Sequence, residues 1–322
     1  MPSITAIVVN WNAPQLTARA IESLLAQDAP DLDVVAVDNG SSDGSAAMLR
    51  ERFAAEPRVR VMALERNLGF GGGANAGLRA ARGELLALLN NDATAEPGWV
   101  SALAAAFAEP GAERLGAATG RILLRGRWRR LGEGEAAPAG EAPLVAADGG
   151  RWVRDADGVE LVNSTGNVVD AAGNGADRDW LAPAGSSSPA EVFGFCGGAA
   201  MLRRAALDEV GPFDESLFMY YEDTDLSWRL RKAGWTVRYV EAAVAVHDHA
   251  ASSGPASPRF IRWNARNRVR VAVRHGGPRM AASAIARTLL RAARTALRPA
   301  RRAEHRAVVA ALGDLALGRG GR

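Results

Sequence analysis

Five carboxylates fall within a dozen positions of each other: Asp214 and Glu215, then Glu222, Asp223 and Asp225 after the pair Tyr220-Tyr221. The last three open a run that reads as a helix, and the positive end of the helix dipole favours acids there. Even so, the cluster carries more negative charge than capping needs, and one member can take a proton from an attacking hydroxyl. Downstream, His247 closes a strand-like run and offers an imidazole to a metal, although a lone histidine is more often structural. A second candidate is Leu89-Asn90-Asn91-Asp92-Ala93. A carboxylate flanked by amides at a strand tip can hold Mg or Mn together with a diphosphate. Such hard cations take one or two protein oxygens and draw the rest from phosphate and water.

A third candidate is Asp38-Asn39-Gly40-Ser41-Ser42-Asp43-Gly44. Asp38 or Asn39 can bind a nucleobase edge or a ribose hydroxyl, while Ser42 or Asp43 caps the next helix. In the fourth, Arg66 to Asn75, Gly69, Gly71 and Ala74 match the G-x-G-x-x-A spacing of dinucleotide binding, but after a third strand rather than a first. This segment reads better as a loop that lets backbone approach a ligand.

The elements that must position these groups alternate. Ile4–Val9, Val34–Val37, Val59–Leu64 and Leu85–Leu89 read as buried strands. Between them lie helical patterns: one capped by Asn12 with Pro14 in its first turn, then 45–53, 74–82 and 98–108. Repeated β-α-β units imply a mostly parallel sheet with helices on both faces, and ligands at the carboxyl ends of its strands. From about 125 to 189 the chain is rich in Gly, Ala, Pro and Asp, with a few short strands expected near 151–169. Regular structure resumes near Val192, with a helix over 222–232 and a strand over 235–240. The expected divisions are 1–120, an irregular insertion 121–190, 191–258, and a basic helical tail 259–322.

Composition narrows the function. The 322 residues are 48% hydrophobic, enough for a large core, and a single cysteine, Cys196, excludes an internal disulfide. No secretory leader and no apolar run of membrane-spanning length stands out, so a cytoplasmic protein is expected. Charge is divided unevenly. Of 39 basic and 36 acidic residues, 16 arginines and two acids follow residue 258, which leaves 23 and 34 elsewhere: +14 on the tail against −11 on the body. Such an arm suits something anionic, either nucleic acid or the inner face of a membrane. Within the tail, Ile285, Leu289, Ala292 and Ala296 recur at helical spacing, with Arg287, Arg291, Arg294 and Arg298 opposite, a pattern suited to an anionic bilayer.

Read in order, Val8-Val9-Asn10-Trp11-Asn12, Val37-Asp38-Asn39-Gly40-Ser41, Asn67-Leu68-Gly69-Phe70 with Asn75, Asn90-Asn91-Asp92, Gly197-Gly198-Ala199-Ala200-Met201, Phe213-Asp214-Glu215, Glu222-Asp223-Thr224-Asp225-Leu226 and His247 resemble family 2 glycosyltransferases of the GT-A fold, in their bacterial rhamnosyltransferase-like branch. The resemblance spans about residues 4 to 250. It implies a Rossmann-like α/β fold of GT-A type with a C-terminal helical tail, and inverting, metal-dependent transfer from a dTDP- or UDP-linked sugar to a lipid-linked or polysaccharide acceptor. Val9, Asn10, Asp38, Asn39, Asn67, Gly69 and Asn91 would serve the nucleotide. Asp92 and His247 would serve a divalent metal, Asp223 would act as base with Glu222 beside it, and Gly197, Gly198 and Asp225 would flank the acceptor. Asn90 and Asn91 stand where the family's Asp-x-Asp element often has acids, so Asp92 is its only carboxylate. Two readings compete. A nicotinamide oxidoreductase rests on the Gly69 segment alone. A nucleic-acid-binding protein rests on the arginines, but the tail lacks a recognition module, so no nucleic acid is expected.

Overall fold

A computed structural model of the chain describes residues 2–29, 31–248 and 257–320. Residues 249–256, closing the expected 191–258 division, and 321–322, closing the expected tail, lie outside them.

The first half alternates as expected: β1 (Ile4–Asn10), α1 (Pro14–Leu25), β2 (Leu32–Asp38), α2 (Ser45–Arg52), β3 (Val59–Ala63), α3 (Gly69–Ala80), β4 (Leu85–Leu89), β5 (Ala93–Ala95) and α4 (Trp99–Ala108). Strands β3, β2, β1 and β4 lie side by side and parallel, with Ile7 in register with Val35 and Leu88. The unbroken apolar run of β1 is explained by cover on both sides. Ile4, Ala6 and Val8 pack with Ile21 and Leu24 of α1 and Leu103 of α4. On the opposite face, Ile7 packs with Ala74 and Leu78 of α3.

Three local expectations change. The N-cap of α1 is Ala13, and the Asn12 side chain instead accepts a hydrogen bond from the Ser42 amide at 2.9 Å, tying two strand-end loops together. The N-cap of α2 is Gly44 rather than Ser42 or Asp43, although Asp43 accepts from the Ser45 amide at 3.0 Å. The glycine-rich segment, expected as a loop with its helix starting at Ala74, is helical from Gly69 onward. A β-carbon on Gly73 would lie 2.7 Å from the Val9 Cγ1, so α3 can rest on β1 only because that position is bare.

Beyond α4 come β6 (Leu115–Leu124), β7 (Trp128–Arg130), β8 (Leu144–Val145), β9 (Arg151–Arg154), β10 (Val162–Ser164), β11 (Asn167–Val169) and β12 (Gly175–Asp177). Strands β7, β9 and β8 form a small separate sheet, β11 and β12 a two-stranded ladder, and β10 joins β6 in the main sheet. Then follow β13 (Ala199–Arg203), α5 (Arg204–Val210), α6 (Glu222–Lys232) and β14 (Thr236–His247). Strand β13 runs antiparallel between β4 and β6, and β14 runs parallel to β6, completing the order β3-β2-β1-β4-β13-β6-β14-β5. Helix α6 covers the α3 face through Leu226 and Leu230.

The tail is three helices: α7 (Pro258–His275), α8 (Gly277–Ala296) and α9 (Arg302–Ala316). Helix α7 is built into the body, whereas α8 buries Ala284, Thr288 and Thr295 and leaves Ile285 and Leu289 exposed. Among the described residues, no helix is long and apolar enough to cross a membrane.

Candidate active site

At the carboxyl ends of β1, β2 and β4 a cavity of about 520 Å³ opens, a volume typical of ligand sites. The sheet register brings its chemistry together. Antiparallel pairing of β5 with β14 sets His247 opposite Ala93, and the Asp248 amide donates to the Asp92 carbonyl at 2.8 Å. As a result His247 Nε2 lies 3.0 Å from Asp92 Oδ1, while its Nδ1 lies 2.7 Å from Asn163 Oδ1. An oxygen acceptor behind one ring nitrogen is the arrangement that fixes a ligating imidazole. One carboxylate and one imidazole, with phosphate oxygens and water to complete the shell, form a donor set that Mg or Mn accepts. Asp92 and His247 thus fit a divalent ion as a pair; among the described residues no cluster of three or more ligating side chains occurs.

Asp223 stands at the front of α6 and lines the same cavity. Its Oδ2 accepts from the Gly197 amide at 3.0 Å and its Oδ1 from the Thr224 amide at 2.6 Å, so the carboxylate is oriented by backbone. Glu222 beside it is buried, and one of its oxygens has no hydrogen-bond partner. Burial, reinforced by the charge of Asp223, pushes its carboxyl up to about 8. The other acids of the cluster are committed elsewhere. Asp214 caps a short 3-10 turn at the Ser216 amide and binds Arg274, and Glu215 accepts from Asn75. Asp225, expected to flank the acceptor, is fully enclosed and does not line the cavity. Burial would raise its carboxyl, but hydrogen bonds from His275 (2.8 Å), Arg229 (2.9 Å) and Arg274 (2.9 Å) bring it down to about 2. It joins α6 to α7.

Of the residues expected to serve a nucleotide, Val9, Asn39, Asn67, Gly69 and Asn91 line the cavity, as do Gly197 and Gly198. Asn10 and Asp38 do not. Asn10 Nδ2 donates to Asp38 Oδ1 at 2.6 Å and its Oδ1 accepts from Thr17 at 2.6 Å, so this pair pins the tips of β1 and β2 to α1.

The far wall, formed by Asn163, Asn167, Asp177, Trp180, Phe260 and Asn264, carries no motif in the sequence. Asp177 faces the cavity, yet enclosure by protein on its other sides pushes its carboxyl up to about 6. Hydrogen bonding with Ser164 opposes that rise and the nearby Asp223 charge adds to it. Among the described lining residues there is no lysine or arginine.

The strand ends of this sheet thus bring an oriented carboxylate and an Asp–His pair into one cavity, an arrangement suited to group-transfer chemistry. Residues 5–211 match Glycosyl transferase family 2, and residues 154–294 match Glycosyl transferase family group 2, so the chain belongs to glycosyl transferase family 2 and is a glycosyltransferase. It is 30% identical over 283 residues to N-acetylglucosaminyl-diphospho-decaprenol L-rhamnosyltransferase of Mycobacterium tuberculosis, covering 79% of each chain. It is 43% identical over 97 residues to the succinoglycan biosynthesis protein ExoO of Rhizobium meliloti, a match covering 30% of this chain and 27% of that one. The fold is similar to GalNAc-T7 with UDP, GalNAc and Mn2+ (TM-score 0.61, 16% identity, 85% of this chain and 48% of that one). It is also similar to a mannosyltransferase from Pyrobaculum calidifontis with GDP-Man and Mn2+ (TM-score 0.57, 17% identity, 98% and 88%). The fold is therefore of GT-A type.

Proposed function

We propose that the enzyme moves a sugar from a nucleoside-diphosphate donor to an acceptor hydroxyl in one inverting displacement. The observation that carries this reading is the placement of Asp223, held by two backbone amides, in the same cavity as the Asp92–His247 pair. Asp223 takes the proton of the acceptor hydroxyl, whose oxygen attacks the anomeric carbon from the face opposite the departing diphosphate. A bound Mg or Mn ion would supply the positive charge that the leaving group needs. Among the described lining residues there is no lysine or arginine, so a metal ion suits that role. Val9, Asn39, Asn67, Gly69 and Asn91 hold the nucleotide end, and Glu222, neutral at pH 7, lowers the charge repulsion beside the base.

The coverage shared with a rhamnosyltransferase supports a dTDP-linked deoxysugar such as rhamnose as donor, and a lipid-linked or polysaccharide acceptor in cell-envelope synthesis. A lipid-linked acceptor agrees with a cytoplasmic enzyme resting on the inner face of the membrane through α8. Replacing Asp223 by Asn should lower turnover by ~10² to 10⁴, the usual worth of a general base, with donor binding by calorimetry nearly unchanged. Turnover within a few-fold of the parent would remove Asp223 from the role.

A further inference from the structure

Three segments outside the eight family-like motifs make one continuous wall. The ladder β11–β12 meets the turn before α6 where the Gly175 amide donates to the Tyr221 hydroxyl at 3.0 Å. It meets α7 where Arg268 donates to Asn174 Oδ1 at 2.8 Å. The turn meets α7 through the rings of Tyr220 and Phe260, 4.8 Å apart and edge to face. Phe218, Tyr220 and Tyr221 all have positive φ (66°, 70° and 72°), a conformation costly for aromatic residues. Such strain persists only where the surroundings over-determine it, and α7 supplies that constraint. Asn267, fully buried, reaches the carbonyls of Leu217, Met219 and Tyr220 at 2.9, 2.9 and 2.8 Å, and buried Arg266 reaches Leu217 at 2.8 Å.

On the cavity side the wall carries polar groups of Asn167, Asp177, Asn264, Tyr220 and Tyr221, and flat apolar surfaces from Phe260 and from Trp180 just beyond β12. Amides and one carboxylate bind hydroxyls in both directions. The wall carries a carboxylate and no lysine or arginine among its described residues, which disfavours an anionic group against it. Val9, Asn39, Asn67 and Gly69, by contrast, come from β1, the loop after β2 and the segment leading into α3, so the two sets divide the cavity by origin. We propose that this wall is the subsite for a neutral acceptor sugar, with Asp177 and Asn264 as the residues that select its hydroxyls. The basic tail then contributes to specificity through its first helix, separately from any surface its later helices touch.

This assignment rests on the transfer reading, and the test separates the two. Full-length enzyme, Asn264→Ala and Asp177→Asn are given dTDP-rhamnose and Mn2+ with a panel of octyl glycosides of neutral hexoses and N-acetylhexosamines. Glycoside product and hydrolysed donor are quantified together. Each substitution should raise the acceptor KM about 10- to 100-fold, as expected for a lost hydrogen bond to a desolvated hydroxyl, and should shift partition from transfer towards hydrolysis. The acceptor KM should move far more than the donor KM. Unchanged acceptor KM and partition in both variants, with normal turnover, would overturn the subsite alone. A rise confined to the donor KM would assign the wall to the nucleotide and overturn it too. No donor turnover by the parent enzyme would sink the transfer reading and the subsite with it.

Discussion

Glu222 and Asp223 are neighbours in sequence, but their surroundings separate their chemistry. Two backbone amides hold Asp223, whereas Glu222 is buried with an unpartnered oxygen and titrates near 8. Pairs pushed apart in this way divide acid and base roles. A carboxyl whose folded pKa is raised holds its proton in the native state over a range where the unfolded chain has released it. Its stabilising contribution is complete below about 4.5, the unfolded value, and is lost as pH rises through about 8. Replacing Glu222 by Gln should therefore leave denaturant midpoints unchanged near pH 4.5 and raise them relative to the parent by pH 8. Parallel profiles would show that Glu222 does not carry this proton. At this scale the legible residues were those at or just past strand ends: Asn39, Asn91, Asp92 and His247 all reach the cavity. Asn163, Asp177 and Asn264 were not legible, because the weakly patterned segment and the tail reach the cavity only through tertiary pairing. Asp225 was misplaced because sequence spacing does not reveal that His275 and Arg274, fifty positions on, enclose it.

Among the elements, the buried strands were legible because two-sided cover demands unbroken apolar runs. Helix α3 was not. Glycine costs about 1 kcal/mol per helical position relative to alanine, so four glycines read as a loop. Close packing on β1 overrides that preference, and Gly69 adds a constraint of its own. Its φ is +75°, and a β-carbon there would run into the Phe218 carbonyl oxygen, which already accepts from the Phe70 amide at 2.7 Å. Gly44 shares the positive φ (+82°) but has open space around it. Gly44→Ala should therefore cost only the ~1–2 kcal/mol of a left-handed alanine. Gly69→Ala should cost a further ~1–3 kcal/mol for overpacking and should displace the turn that leads into Glu222. Urea melts of the two variants check this, and equal losses would mean that the Phe218 contact imposes nothing.

Across the whole molecule, the uneven charge gains a geometry. Helix α8 contains no acid, and it turns outward Ile285, Leu289, Leu290 and, just past its end, Leu297, which is 88% exposed. Arg287, Arg291, Arg294 and Arg298 follow along one flank at helical spacing, with Arg291 also meeting Glu304 at 2.8 Å. An apolar stripe beside a cationic one suits the headgroup plane of an anionic bilayer, where each arginine contributes ~1 kcal/mol. The enzyme should sediment with phosphatidylglycerol vesicles at low salt and much less with phosphatidylcholine vesicles. Leu289→Glu with Leu297→Glu, both at exposed positions, should lower that binding at least about tenfold, given ~1.5–3 kcal/mol for each buried leucine. Equal sedimentation of parent and variant would show that α8 does not face the membrane.

Metal-dependent glycosyl transfer at the Asp92–His247–Asp223 cavity is the proposal on which the other roles depend. Its most direct measurement is release of nucleoside diphosphate from a panel of nucleotide sugars, with Mg2+, Mn2+ or a chelator, for the parent enzyme and Asp92→Ala. Release is expected from at least one donor, fastest with dTDP-rhamnose, and should be abolished by the chelator and by Asp92→Ala. Equal release with metal and with chelator, or undiminished release by Asp92→Ala, would contradict it.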